Sequence, residues 1–130
     1  MMKVLQPPGW AAPRGYVNGV AASGTSVFVA GQIGWNAAAQ FESDDLVAQV
    51  RQALLNVRAV LAEAGAAPEH IVRMTWYLTD KREYLARGRE IGAAYREVIG
   101  HYAVAMSALQ VVALMEDRAK VEIEVTAVVP

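Results

Sequence analysis

The chain contains no cysteine. A disulfide framework, a thiolate nucleophile and a Cys-based zinc site are therefore excluded, and the redox compartment stays open. An excess of either charge is lacking too: 12 Lys and Arg stand against 13 Asp and Glu, for a formal net charge of −1, and no Lys/Arg block occurs. Such a balance lacks the electrostatic footprint of a protein that binds DNA, RNA or an anionic membrane. Long hydrophobic runs are missing as well, since nothing approaches the roughly 18 to 20 apolar residues of a membrane span. The opening MMKVLQPPGWAAPRG places Pro7, Pro8 and Pro13 where a signal peptide needs an unbroken apolar segment. The expectation is one cytoplasmic domain over residues 1–130, large enough to bury a core without metal or disulfide staples.

What is present is periodicity. The stretch GYVNGVAASGTSVFVAGQIGW reads as two short strands, Tyr16–Ala21 and Val27–Ala30, joined as a hairpin by a Ser23-Gly24 turn and stopping at Gly31. Leu46, Val50, Leu54, Val57 and Leu61 then recur every three or four positions, with Gln49, Gln52, Asn56 and Glu63 assigned to the opposite side. That pattern, closed by Gly65, predicts an amphipathic helix over 44–64. IVRMTWYLT, residues 71–79, is β-branched and aromatic and predicts a strand. Asp80 followed by Glu83 has the form of a capping box, and Leu85, Ile91, Tyr95 and Val98 trace a second helix up to Gly100. Gly88 and Gly92 inside that helix each cost about 1 kcal/mol against Ala, which suggests close packing there. Two final strands, 107–114 and 120–129, are joined through Glu116-Asp117-Arg118.

The order β-β-α-β-α-β-β predicts a two-layer α+β domain with both helices on one face of the sheet. In the last strand Val121, Ile123, Val125 and Ala127 alternate with Glu122, Glu124, Thr126 and Val128, and the first set suits the helices. In VAMSALQVVALM neither alternating set is polar enough for a water-facing sheet. The uncovered face should therefore pack on something the monomer lacks, which predicts a homo-oligomer.

Candidate chemistry is sparse. His70 and His101 have no HxxxH or HExxH spacing, so no metal site is expected. Ser107 has no GxSxG setting, and no phosphate-cradling loop occurs. Glu122 and Glu124 share one strand face, where either could position a water in a partly dry cleft or pair with a neighbouring subunit. Trp10, Trp35 and Trp76 read as core or interface anchors.

Taken in order, GYVNGV, VFVAGQIG, QALLNVRAVLAEAGAAPEHIVRMTWYLTD, SALQVVAL and VEIEVTAVV resemble the reactive intermediate deaminase family, also called RidA or YjgF, over Arg14 to Val129. The resemblance implies a chorismate-mutase-like fold and a homotrimer with its sheets forming a central barrel. It also implies three intersubunit clefts that bind a small metabolite. Active members resembling this chain hydrolyse enamines and imines to a keto acid and ammonia without metal or organic cofactor. There an Arg in a Pro-Ala-Arg motif grips the substrate carboxylate, and a Glu of the VEIE-like strand positions water.

Carried over residue by residue, the resemblance makes Tyr16 the cleft tyrosine and Glu122 the catalytic glutamate. It puts Ala30 and Gly31 on Ser-Gly, Gly88 on a cleft Asn, Met106 on the anchoring Arg and Ala108 on a position that is often Cys. Loss of a charge-assisted contact is worth about 1.5 to 3 kcal/mol per hydrogen bond, so ordinary 2-imino acid turnover should fall unless Arg14, Arg87 or Arg89 replaces the missing cation. Met106 and Ala108 would instead favour a more apolar ligand. The family's ribonuclease label receives no support from a basic patch or a His pair.

Overall fold

The strongest apolar period produces the longest helix. The computed structural model describes residues 2–130, and in it helix α1 (Leu46–Glu63) starts where the Asp45 side chain accepts the Ala48 N–H and ends just before Gly65 at φ +66°. Val50, Leu54, Val57 and Leu61 are fully buried against the sheet. Gln49 departs from the expected polar face: it too is fully buried. Its amide donates to the Ser43 and Arg118 carbonyls, both at 3.0 Å, and accepts the Lys120 N–H at 2.8 Å. A buried amide with every partner in place can sit on a core face that sequence period alone would reserve for apolar residues.

The main sheet contains β3 (Thr25–Ile33), β4 (Ile71–Leu78), β5 (Ala105–Gln110) and β6 (Val121–Val129) in the order β3-β6-β4-β5. β4 and β5 run parallel, while β6 is antiparallel to both β3 and β4. As predicted, Val121, Ile123, Val125 and Ala127 are buried under the helices. The last two strands are not neighbours, however, because β6 inserts between β3 and β4 and the stretch 111–120 crosses to reach it.

The predicted hairpin is corrected in the same way. β2 (Gly19–Ala22) pairs not with β3 but with β1 (Met2–Leu5), as a separate two-stranded antiparallel sheet. All four β1 residues are exposed, so no buried face leaves an apolar alternation to read there.

The second predicted helix is two. α2 (Lys81–Ala86) begins on Asp80, whose side chain accepts the Arg82 and Glu83 N–H groups, and α3 (Gly88–Val98) follows after Arg87. Arg87 sits at the break, bound through Nε and Nη2 to both oxygens of Glu90 at 2.8 Å and through Nη1 to Asp45 at 3.0 Å. That triad ties the α2–α3 junction to the start of α1. Close helix packing does not explain the two glycines: a Cβ at Gly88 would meet nothing, and one at Gly92 would meet only the Arg96 guanidinium, at 3.1 Å.

Gln49→Leu should fold less stably by about 2 to 4 kcal/mol, since it strands two part-buried carbonyls and one part-buried N–H. Denaturant unfolding of the two proteins measures this, and equal midpoints would show that these bonds carry no net stability.

Candidate functional site

The residues singled out from sequence gather in two places. The first is an open cavity of about 740 Å³ between the edge strand β5 and the helices α2 and α3. β5 sends Met106 and Ala108 into it, in register with Met74 and Trp76 of β4, so these side chains lie on the helix-facing side of the sheet. Tyr16 arrives from the loop before β2, which is held against β5 by the Val17 N–H donating to the Val104 carbonyl at 2.9 Å. Gly15, at φ +77°, makes the turn that delivers it, a left-handed conformation that glycine adopts without strain. Gly88 and Gly92 leave the α3 wall bare at those two positions.

The second place is on β3 and β6. The pairing of these strands slips between Val29 and Gln32, and at this irregularity a Cβ on Gly31 would collide with the Glu122 carboxylate. Only glycine permits that approach, so Ala30, Gly31 and Glu122 form one local group. Across the sheet, Tyr77 donates its hydroxyl to Glu124 Oε1 at 2.5 Å. That bond, with the charges of Glu124 and Glu122 nearby, raises the Tyr77 phenol above its ordinary value. Glu124 is thus partnered within the chain, whereas Glu122 has no side-chain hydrogen bond among the described residues.

The two places do not meet within one chain. Glu122 pairs with Tyr77, and Tyr77 with Leu109, which puts Glu122 on the face opposite Met106 and Ala108. Neither Ala30, Gly31 nor Glu122 lines the cavity.

The three candidate cations separate cleanly. Arg14 lines the cavity; Arg87 is bound by Asp45 and Glu90 away from it; Arg89 does not line it. Sequence reasoning missed other lining residues, among them Trp76, Tyr84, Tyr95, Arg96 and His101. A signal for one existed, because Gly88, Gly92 and Arg96 are spaced by four and form a single stripe on α3. Trp76 stacks edge-on to Tyr84 at 6.2 Å and tilted to Tyr95 at 6.3 Å, giving the cavity an aromatic wall. His70, by contrast, is spent locally: its Nδ1 accepts the Ala67 N–H at 2.9 Å.

Burial pushes the Tyr84 phenol up and the Tyr95 phenol up to about 12, so both are neutral at physiological pH. Because the folded value of Tyr95 exceeds its ordinary 10.0, its contribution to stability is complete below pH 10.0 and is lost as pH rises to about 12. Tyr95→Phe should flatten the alkaline fall in stability across that window. Thermal unfolding between neutral and alkaline pH measures it, and coincident curves for the two proteins would contradict the assignment.

Comparison with known proteins places this geometry. The family model described as Endoribonuclease L-PSP matches residues 9–129. A RutC family protein of Synechocystis is 33% identical over 131 residues, covering 99% of this chain and 98% of that one. The 2-iminobutanoate/2-iminopropanoate deaminase of Salmonella typhimurium is 34% identical, covering 87% of this chain and 86% of its own length. Among solved structures, the Rid family protein YyfB of Yersinia pestis, of unknown function, superposes with a TM-score of 0.84 at 34% identity, covering 98% of both chains. Escherichia coli TdcF with bound serine gives a TM-score of 0.71 at 30% identity, covering 98% of this chain and 99% of that one. With its α+β architecture and nearly full-length similarity, the chain belongs to the Endoribonuclease L-PSP family, which is the RidA/YjgF group.

Proposed function

We propose that this protein is a homotrimer that binds a small metabolite in clefts between subunits. Each cleft would join the Tyr16, Gly88, Met106 and Ala108 cavity of one copy to the Ala30, Gly31 and Glu122 group of the next. The observation that carries this reading is the separation just described, since a cavity without a carboxylate and a carboxylate without a cavity complement each other only across an interface. The exposed Phe28 and the half-exposed Leu109 and Tyr77 give the helix-free sheet face the apolar character of a surface that packs on a partner.

The chemistry follows from the same parts. Glu122 would take a proton from water as the water oxygen bonds to the carbon of a C=N group and pass it to the nitrogen that receives the π pair. It would then take the hydroxyl proton of the resulting carbinolamine and deliver it to nitrogen as the C=O bond forms and the C–N bond breaks. One imine and one water would thus give one carbonyl compound and ammonia, with Glu122 regenerated and no metal or organic cofactor consumed. A relative bearing the name of an iminobutanoate and iminopropanoate deaminase supports this class of reaction. Met106 and the aromatic wall favour a substrate bulkier and more apolar than those small 2-imino acids. A second reading, a deaminase of simple 2-imino acids in which Arg14 replaces the lost cation, is favoured by Arg14 sharing the cavity with Met106.

Imines generated in situ from phenylalanine and from alanine by an amino-acid oxidase separate the two readings. The leading one expects ammonia release from the phenylalanine-derived imine well above the spontaneous rate, lost in Glu122→Gln, with the alanine-derived imine near background. Fast turnover of the alanine-derived imine that is lost in Arg14→Gln would favour the second. Release unaffected by Glu122→Gln would remove the proposed role of that carboxylate.

A further inference from the structure

The cavity wall carries charge of one sign. Arg14 and Arg96 line it, and no Asp or Glu does, although the chain as a whole is slightly acidic. Among the described residues neither Arg14 nor Arg96 is paired with a carboxylate. Arg96 reaches the cavity from α3, on the same stripe as Gly88 and Gly92, with its guanidinium lying against the bare Gly92 backbone. Trp76, in the same wall, is 2% exposed, and its indole N–H is buried without a partner. Two guanidinium groups with no carboxylate beside them, set around aromatic rings, describe a site for an anion with an apolar body.

We infer that the ligand is a carboxylate with an aromatic or similarly extended apolar body, whose carboxylate is read by Arg96 on helix α3 and whose body lies along Trp76, Tyr84 and Met106. The anchoring charge is thereby moved from the strand, where Met106 stands, to the opposite helical wall. Gly88 and Gly92 acquire a purpose in this arrangement, because side chains there would project into the space the ligand body needs. The inference rests on the proposed metabolite cleft but not on turnover, so it is tested by equilibrium binding alone.

The test is calorimetric titration of the full chain with 3-phenylpropanoate and with its uncharged amide. The wild-type protein should bind the acid at least about tenfold more tightly than the amide, the value of one charge-assisted contact. Arg96→Gln should abolish that preference while leaving amide affinity within about twofold, and Arg89→Gln, outside the cavity, should leave both unchanged. Arg96 is exposed and unpaired, so its replacement does not threaten the fold, which a circular dichroism spectrum of each variant checks. An acid preference that survives Arg96→Gln, equal binding of acid and amide by the wild type, or no binding of the acid would each overturn the inference. A normal binding result together with absent imine turnover would overturn the proposed reaction and leave this inference standing.

Discussion

The period-two alternation of side chains along β4, β5 and β6 is the constraint from which the functional reading follows. The register Ala108–Trp76–Ile123 fixes one face of the sheet and Leu109–Tyr77–Glu122 the other. Once Ile123 is committed to the core beneath α1, Glu122 must face away from it, and Met106 and Ala108 must face the helices. A shift of one residue in the β4–β6 pairing would exchange the two sets of β6 and bury a carboxylate, so the core itself keeps Glu122 on the helix-free face.

Around that sheet, polar bonds hold the parts that shape the cavity. Gln49 ties α1 to the crossing segment before β6, and Arg87 ties the α2–α3 break to the start of α1. The Arg87 bonds are largely exposed and contribute little to stability individually, but they fix where α3 begins and hence where Gly88, Gly92 and Arg96 point. Glycine at these positions has an energetic cost in helix propensity. Its return is space in the cavity wall.

Much of the fold was legible because it is written in local period. α1, the Asp80 cap and the inward set of β6 follow directly from spacing and capping chemistry. Pairing was not legible: β2 joins β1 and not β3, and β6 inserts between β3 and β4, because partners are chosen by tertiary packing that no local pattern encodes. Gln49 was misplaced for a related reason, since its three partners include Arg118 and Lys120, about 70 residues away in sequence. For the site, Tyr16, Met106 and Ala108 were readable from resemblance, and the structure gathers them with Gly88 in one cavity. Arg96, His101 and the aromatic wall were not, because their convergence depends on the α2–α3 break and on the packing of α3 over β5. The sequence does, however, carry the four-residue spacing that puts Arg96 in line with the two glycines.

The central claim is that one chain supplies the cavity and another the carboxylate, and mixed assemblies test it most directly. Ala108→Trp fills the cavity while leaving Glu122 intact, and Glu122→Gln does the reverse. Each variant alone should release no ammonia above background from the phenylalanine-derived imine. Unfolded together in equal amounts and refolded, they should recover roughly a quarter of wild-type activity, because that share of interfaces joins an intact cavity to an intact Glu122. A mixture that co-assembles, as shown by native mass spectrometry, yet stays inactive would contradict a site shared between subunits.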